Sequence, residues 1–135
     1  MGPLDKFILK EDSLTVTATG FDLRFYSHWY RSLPISSLGI IKLHINGQPV
    51  AQENCELEYE GKIYAMQDLA NHYTDWWFVL DPVVLHIEEK NLQLQQGTSY
   101  DVAFELGLLI PYVLTGKEEK PLLASARVTK KLLCS

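Results

Sequence analysis

Apolar and polar residues alternate with a period of two along most of the chain. Leu14, Val16 and Ala18 interleave with Thr15, Thr17 and Thr19, and Gly20 then breaks the run. Phe21, Leu23 and Phe25 interleave with Asp22, Arg24 and Tyr26, and Ile41, Leu43 and Ile45 with Lys42, His44 and Asn46. That period predicts strands with one buried and one solvated face. Asn46-Gly47 predicts a type I′ hairpin, whose two central residues both need positive φ, and Pro49 keeps the return strand short or at an edge. Leu57 and Tyr59 alternate with Glu56, Glu58 and Glu60 up to a turn at Gly61. Residues 76–80 predict an apolar strand stopped by Asp81-Pro82. Val83, Leu85 and Ile87 predict another, as do Tyr100, Val102, Phe104 and Leu106, and the last spans 123–132. Residues 67–72 could make one helical turn, too short to stand alone.

Eight or nine short strands with no long amphipathic helix predict an all-β fold, an antiparallel β-sandwich or jelly roll. No repeat or shift in composition divides residues 1–135, so one sandwich domain is expected. The one charged loop, residues 115–121, mixes signs between Gly116 and Pro121 and reads as a solvated connection.

Composition narrows the function. With 47% hydrophobic and 21% charged residues the chain has the makeup of a globular protein. A net charge of −5 with scattered basic residues argues against nucleic acid as a partner. No apolar stretch approaches the ~20 residues that cross a bilayer, and Met1 to Phe7 show no basic patch before an apolar run. No membrane association and a cytoplasmic location are therefore expected. Cys55 and Cys134 lie far apart without a CxxC, so free thiols, buried or incidental, are expected rather than a zinc site.

Catalytic signatures are missing: there is no GxSxG elbow, no GxxxxGK[ST] loop and no HExxH pair. Glu56, Glu58 and Glu60 would share a strand face, where a solvated acidic row is favoured over a calcium site. Asp68 and Asp75 flank His72, which reads as a polar loop. The unusual segment is Tyr26-Ser27-His28-Trp29-Tyr30-Arg31-Ser32-Leu33-Pro34, three aromatics with a histidine and an arginine just after a strand. Aromatic and Arg side chains anchor interfaces, and aromatic faces stack on sugars and flat aglycones; equally, such rings can cap a core. In the second cluster, His72-Tyr73-Thr74-Asp75-Trp76-Trp77, core packing is expected of Trp77 and Phe78, and Trp76 is open.

Trp29-Tyr30-Arg31-Ser32-Leu33-Pro34-Ile35-Ser36 resembles the YRSLPLS segment of the small (β) subunits of bacterial C-glycoside deglycosidases. In order along the chain, Asn46-Gly47-Gln48-Pro49-Val50 resembles that family's DGEPV turn, followed by a Trp segment at Trp76-Trp77 and an Ile110-Pro111-Tyr112 element. His28 stands where members often have proline, and Ser37 where they often have cysteine.

The resemblance implies a subunit of a heteromeric carbon–carbon lyase acting in flavonoid and carbohydrate metabolism. Such enzymes cleave the bond between a 3-oxo sugar and an aromatic, (iso)flavonoid-type aglycone. The larger α subunit is a TIM barrel that carries a divalent metal, typically manganese, and the acid–base residues. The 3-keto group acidifies the sugar C2 proton, and protonation of the aglycone ring carbon then lets the bond break by elimination. The β subunit would be a non-catalytic sandwich that stabilises the α subunit and completes its active site. It would have no catalytic residue, metal ligand or cofactor of its own. His28, Trp29, Tyr30, Arg31, Leu33 and Pro34 would contact the α subunit or edge the pocket for a 3-oxo-C-glycoside. The competing readings are a free-standing carbohydrate- or flavonoid-binding module, and a jelly-roll enzyme with a metal held by dispersed His and Glu.

Overall fold

The computed structural model describes residues 8–29, 31–88, 92, 94–115 and 120–135. Among them are eleven strands: β1 (Leu14–Val16), β2 (Phe21–Phe25), β3 (Leu33–Pro34), β4 (Leu38–Ile45), β5 (Gln48–Pro49), β6 (Cys55–Tyr59), β7 (Lys62–Ala65), β8 (Trp76–Trp77), β9 (Val83–Ile87), β10 (Ser99–Thr115) and β11 (Lys120–Leu133). They form a five-stranded sheet in the order β1-β2-β9-β6-β7, a four-stranded sheet β11-β10-β4-β5, and a two-stranded sheet β3-β8. Every pairing is antiparallel. The strand count exceeds the expected eight or nine because β3 and β5 are two-residue pairings, too short to show a period.

The alternation places the core. Phe21, Leu23, Phe25, Leu57, Val83, Leu85 and Ile87 are buried from the five-stranded sheet; Ile41, Leu43, Ile45, Val102, Phe104 and Leu106 are buried from the four-stranded one. The sheets meet where the rings of Phe25 and Phe104 lie 5.0 Å apart. Trp77 stands edge-on to Phe25 at 6.1 Å, so the two-stranded sheet is fastened to the same core.

Turn chemistry follows the residues. Asn46 and Gly47 have φ of 49° and 83°, and Glu60 and Gly61 of 50° and 81°, both hairpins of the primed type. Glu60 therefore belongs to a turn, not to the strand face that carries Glu56 and Glu58. The expected strand at 14–19 stops at Val16, because Thr17 turns back: its N–H donates to Gly20 O and its hydroxyl accepts from Gly20 N–H. The helical turn takes 3-10 form over Met66–Asn71.

At the other end of the chain, Val16 N–H donates to Ser135 O and Ser135 N–H to Leu14 O, so the residues after β11 pair with the edge of the opposite sheet. β4 slips register against β10 at Gly107, where a Cβ would sit 2.8 Å from that of Ile40. Glycine is what lets the strands close there. β10 and β11 continue past the end of β4, with a second register shift between Ile110 and Leu114. Residues 116–119, the centre of the expected charged loop, lie outside the described residues.

Candidate functional site

The chain leaves β2 into the aromatic segment. Ser27 and His28 are buried, and Ser27 Oγ accepts the N–H of Trp29 at 3.0 Å, a local side-chain turn. His28 Nε2 lies 3.0 Å from the carbonyl oxygen of Ala124. Ala124 lies on β11, paired with Leu108 of β10, so this contact ties the segment after β2 to the four-stranded sheet. Trp29 is half-buried and packs on the core, Arg31 is exposed, and Tyr30 lies outside the described residues. Leu33 and Pro34 are buried and form β3.

β3 brings the two aromatic clusters together. Leu33 pairs with Trp77 and Pro34 with Trp76. The zipper continues on both sides: Val79 N–H donates to Ser32 Oγ at 3.1 Å, Ile35 N–H to Asp75 O at 2.7 Å, and Ser36 N–H to His72 O at 3.1 Å. Distant segments of the chain thus act as one unit. The expected strand over 76–80 ends at Trp77, with Phe78 outside. Here the backbone is taken by other partners: Phe78 N–H donates to the Tyr59 hydroxyl (2.9 Å), Asp81 N–H to Phe78 O (3.0 Å), and Trp77 Nε1–H to Asp81 O (2.8 Å). The result is a tight turn that throws Val79 and Leu80 to the tip.

Two polar posts hold this turn. Tyr59 donates to Asp81 Oδ2 at 2.8 Å, and burial together with that carboxylate pushes its hydroxyl up to about 12. Asp75 Oδ2 accepts from Lys62 Nζ at 2.8 Å and Tyr64 Oη at 2.9 Å, and lies 3.2 Å from His72 Nδ1. Lys62 and Tyr64 hold the Asp75 carboxyl below the ordinary range, His72 adding to them, while burial and Asp75 push Tyr64 to about 12. Both phenols act as hydrogen-bond donors to these carboxylates. The expected polar loop around His72 is therefore an anchoring knot, and its partner is Asp75; Asp68 instead accepts from Asn71.

Above the posts lies apolar surface. Tyr73 is 70% exposed, Trp76 54%, Phe78 57% and Leu80 86%, whereas adjacent Trp77 is 1% exposed. Side-chain types alone did not separate Phe78 from Trp77; the available signal was Asp81-Pro82 close behind, which announces a turn. Tyr73 stood in the second cluster without a role of its own, and Leu80, expected within the apolar strand over 76–80, is exposed instead. Among the described residues the exposed aromatics concentrate on this loop.

Elsewhere, Cys55 and Cys134 are buried and form no disulfide, and burial pushes the Cys134 thiol up. Among the described residues no three His, Cys, Asp or Glu side chains are grouped as a metal-ligand set. None of the described helices is long and apolar enough to cross a membrane.

Comparison with known proteins converges on one family. The profile of the C-glycoside deglycosidase beta subunit family matches residues 4–112, running from before β1 into β10. A C-glycoside deglycosidase beta subunit of Arthrobacter globiformis is 28% identical over 87 residues, covering 64% of this chain and 65% of that protein. A 3'-dehydrocarminate deglycosidase beta subunit of a Microbacterium species is 26% identical over 106 residues, 78% of each. A further C-glycoside deglycosidase beta subunit of A. globiformis is 32% identical over 53 residues, 39% of this chain and 40% of that one.

Proposed function

Because the chain belongs to the C-glycoside deglycosidase beta subunit family, we propose that it is the beta subunit of a heteromeric enzyme that cleaves the C–C bond between a 3-oxo sugar and an aromatic aglycone. The observation that carries this reading is the union of the family segment with an exposed apolar loop. Leu33 and Pro34 are buried and seat the segment through β3, while Arg31 and the turn at Trp76, Phe78 and Leu80 offer the contact area. A partner alpha subunit, a TIM barrel, covers that surface. The divalent metal, manganese, and the groups that move protons at the sugar C2 and the aglycone carbon belong to the partner. This chain's contribution is a rigid wall at the edge of the pocket, closed to water by aromatic faces. An aromatic aglycone suits such a wall, and the Microbacterium relative is named for 3'-dehydrocarminate. Two buried thiols outside any disulfide fit a reducing cytoplasm.

The test is light scattering after size-exclusion chromatography, on the chain alone and co-expressed with its alpha partner. A joint peak of fixed stoichiometry is expected. It should cleave a 3-oxo-C-glucoside and lose that activity to chelator. A monomer that ignores the partner yet retains sugar or flavonoid would overturn the reading in favour of a free-standing binding module.

A further inference from the structure

On the outer face of the five-stranded sheet, His86 of β9 sits between two carboxylates. Its Nδ1 is 2.7 Å from Asp22 Oδ1 on β2, and its Nε2 is 2.9 Å from Glu58 Oε1 on β6. A carboxylate only accepts hydrogen bonds, and a neutral imidazole has a single N–H. Two such contacts at hydrogen-bond distance are satisfied together only when both ring nitrogens carry hydrogen. We propose that His86 is held as an imidazolium in the folded protein and acts as a proton-dependent staple across the three central strands, β2, β9 and β6.

The surrounding charges agree in sign. In the register Asp22 and Glu56 both lie directly opposite His86, and Glu58 lies further along β6, opposite Val84. Glu88 follows just past the end of β9. The nearby cation, Arg24 of β2, is turned to Asp12, with Nη2 2.6 Å from its carboxylate. β1 and β7 add no charge to the rows of Asp22 and Glu58, where Thr15 and Ile63 pair. Burial alone would lower the imidazole, but the bonds to Asp22 and Glu58 raise it on balance. A group raised on folding stabilises fully below its unfolded value, about 6.5 for histidine, and that stability is lost as pH rises through the folded value.

The test is an NMR titration of the full chain, labelled at the histidine ring carbons, from about pH 5 to about pH 9, spanning the ordinary imidazole value on both sides. One of the four histidine resonances should titrate above the ordinary midpoint and vanish in His86→Gln. Asp22→Asn and Glu58→Gln should each lower that midpoint, and thermal melting of the wild type should lose stability toward the alkaline end more steeply than that of either variant. A midpoint for His86 at or below the ordinary value, or one indifferent to both carboxylate variants, would overturn the proposal. If His86→Gln does not fold, the two carboxylate variants assign the resonance by the midpoint they move, and the same outcomes support or overturn the staple.

Discussion

Trp76 and Trp77 are consecutive, yet they belong to different regions of the molecule. Trp77 closes the interior, edge-on to Phe25 with its indole N–H spent on Asp81 O; Trp76 lies half in solvent above it. Interior rings are held by contact on all sides, so their loss is felt as stability. The rings of the exposed loop are held from below by polar posts, Tyr59 and Asp75, and leave their upper faces uncovered. One residue type thus does two jobs, and the backbone between them decides which.

That contrast can be broken by substitution. Trp77→Ala should cost about 3–5 kcal/mol of unfolding free energy, as large-to-small core changes do, whereas Trp76→Ala should stay within about 0.5 kcal/mol in the same urea titration. Equal losses would erase the distinction. On assembly the ranking should reverse. Trp76→Ala, Phe78→Ala or Arg31→Ala should each weaken capture of the alpha subunit by about 2 kcal/mol, the scale of an interface anchor. Glu56→Gln should leave it unchanged, with calorimetry on the co-purified partner as the readout.

Asp75→Asn probes the posts. The Ile35 and Ser36 amides, bonded to Asp75 O and His72 O, should exchange hydrogen faster in the variant. Because the Asp75 carboxyl is held low by Lys62 and Tyr64, its anchoring is present above the ordinary carboxylate value and lost as pH falls through the lowered one. The variant should lack that acid limb. A small effect is also expected at the β6–β7 turn. Glu60, with φ 50°, sits where glycine is at ease, so Glu60→Gly should change stability by less than about 1 kcal/mol, checked by the same urea titration.

The sandwich was legible because its strands bury one face, and burial of one face imposes a period of two. The positions of Phe21, Leu23, Phe25 and Val102, Phe104, Leu106 follow from that rule alone. Asn46-Gly47 was legible because its turn demands positive φ. The loop was only half legible: its residues stand out by type, but whether Phe78 points in or out depends on Tyr59 capturing its amide from another strand. The union of residues 32–36 with 72–79 was beyond local reading, since β3 and β8 are pairings of two residues. Nor did the pattern announce His86, whose partners come from strands that are neighbours only in the folded sheet.

The pairing map also bears on the order in which the molecule can form. Ile41 pairs with Leu106, Phe21 with Ile87, and Leu14 meets Ser135. Apart from short hairpins, the early strands thus wait for partners made last. Synthesis runs at roughly 5–20 residues per second, so β4 spends seconds outside the ribosome before β10 exists to receive it. Distant pairings of this kind form slowly in any case. Through that interval the aromatic segment and the faces destined for the core stand open together. A cell making this chain should therefore gain most from low synthesis temperature, and from a partner subunit already present when the last strand emerges.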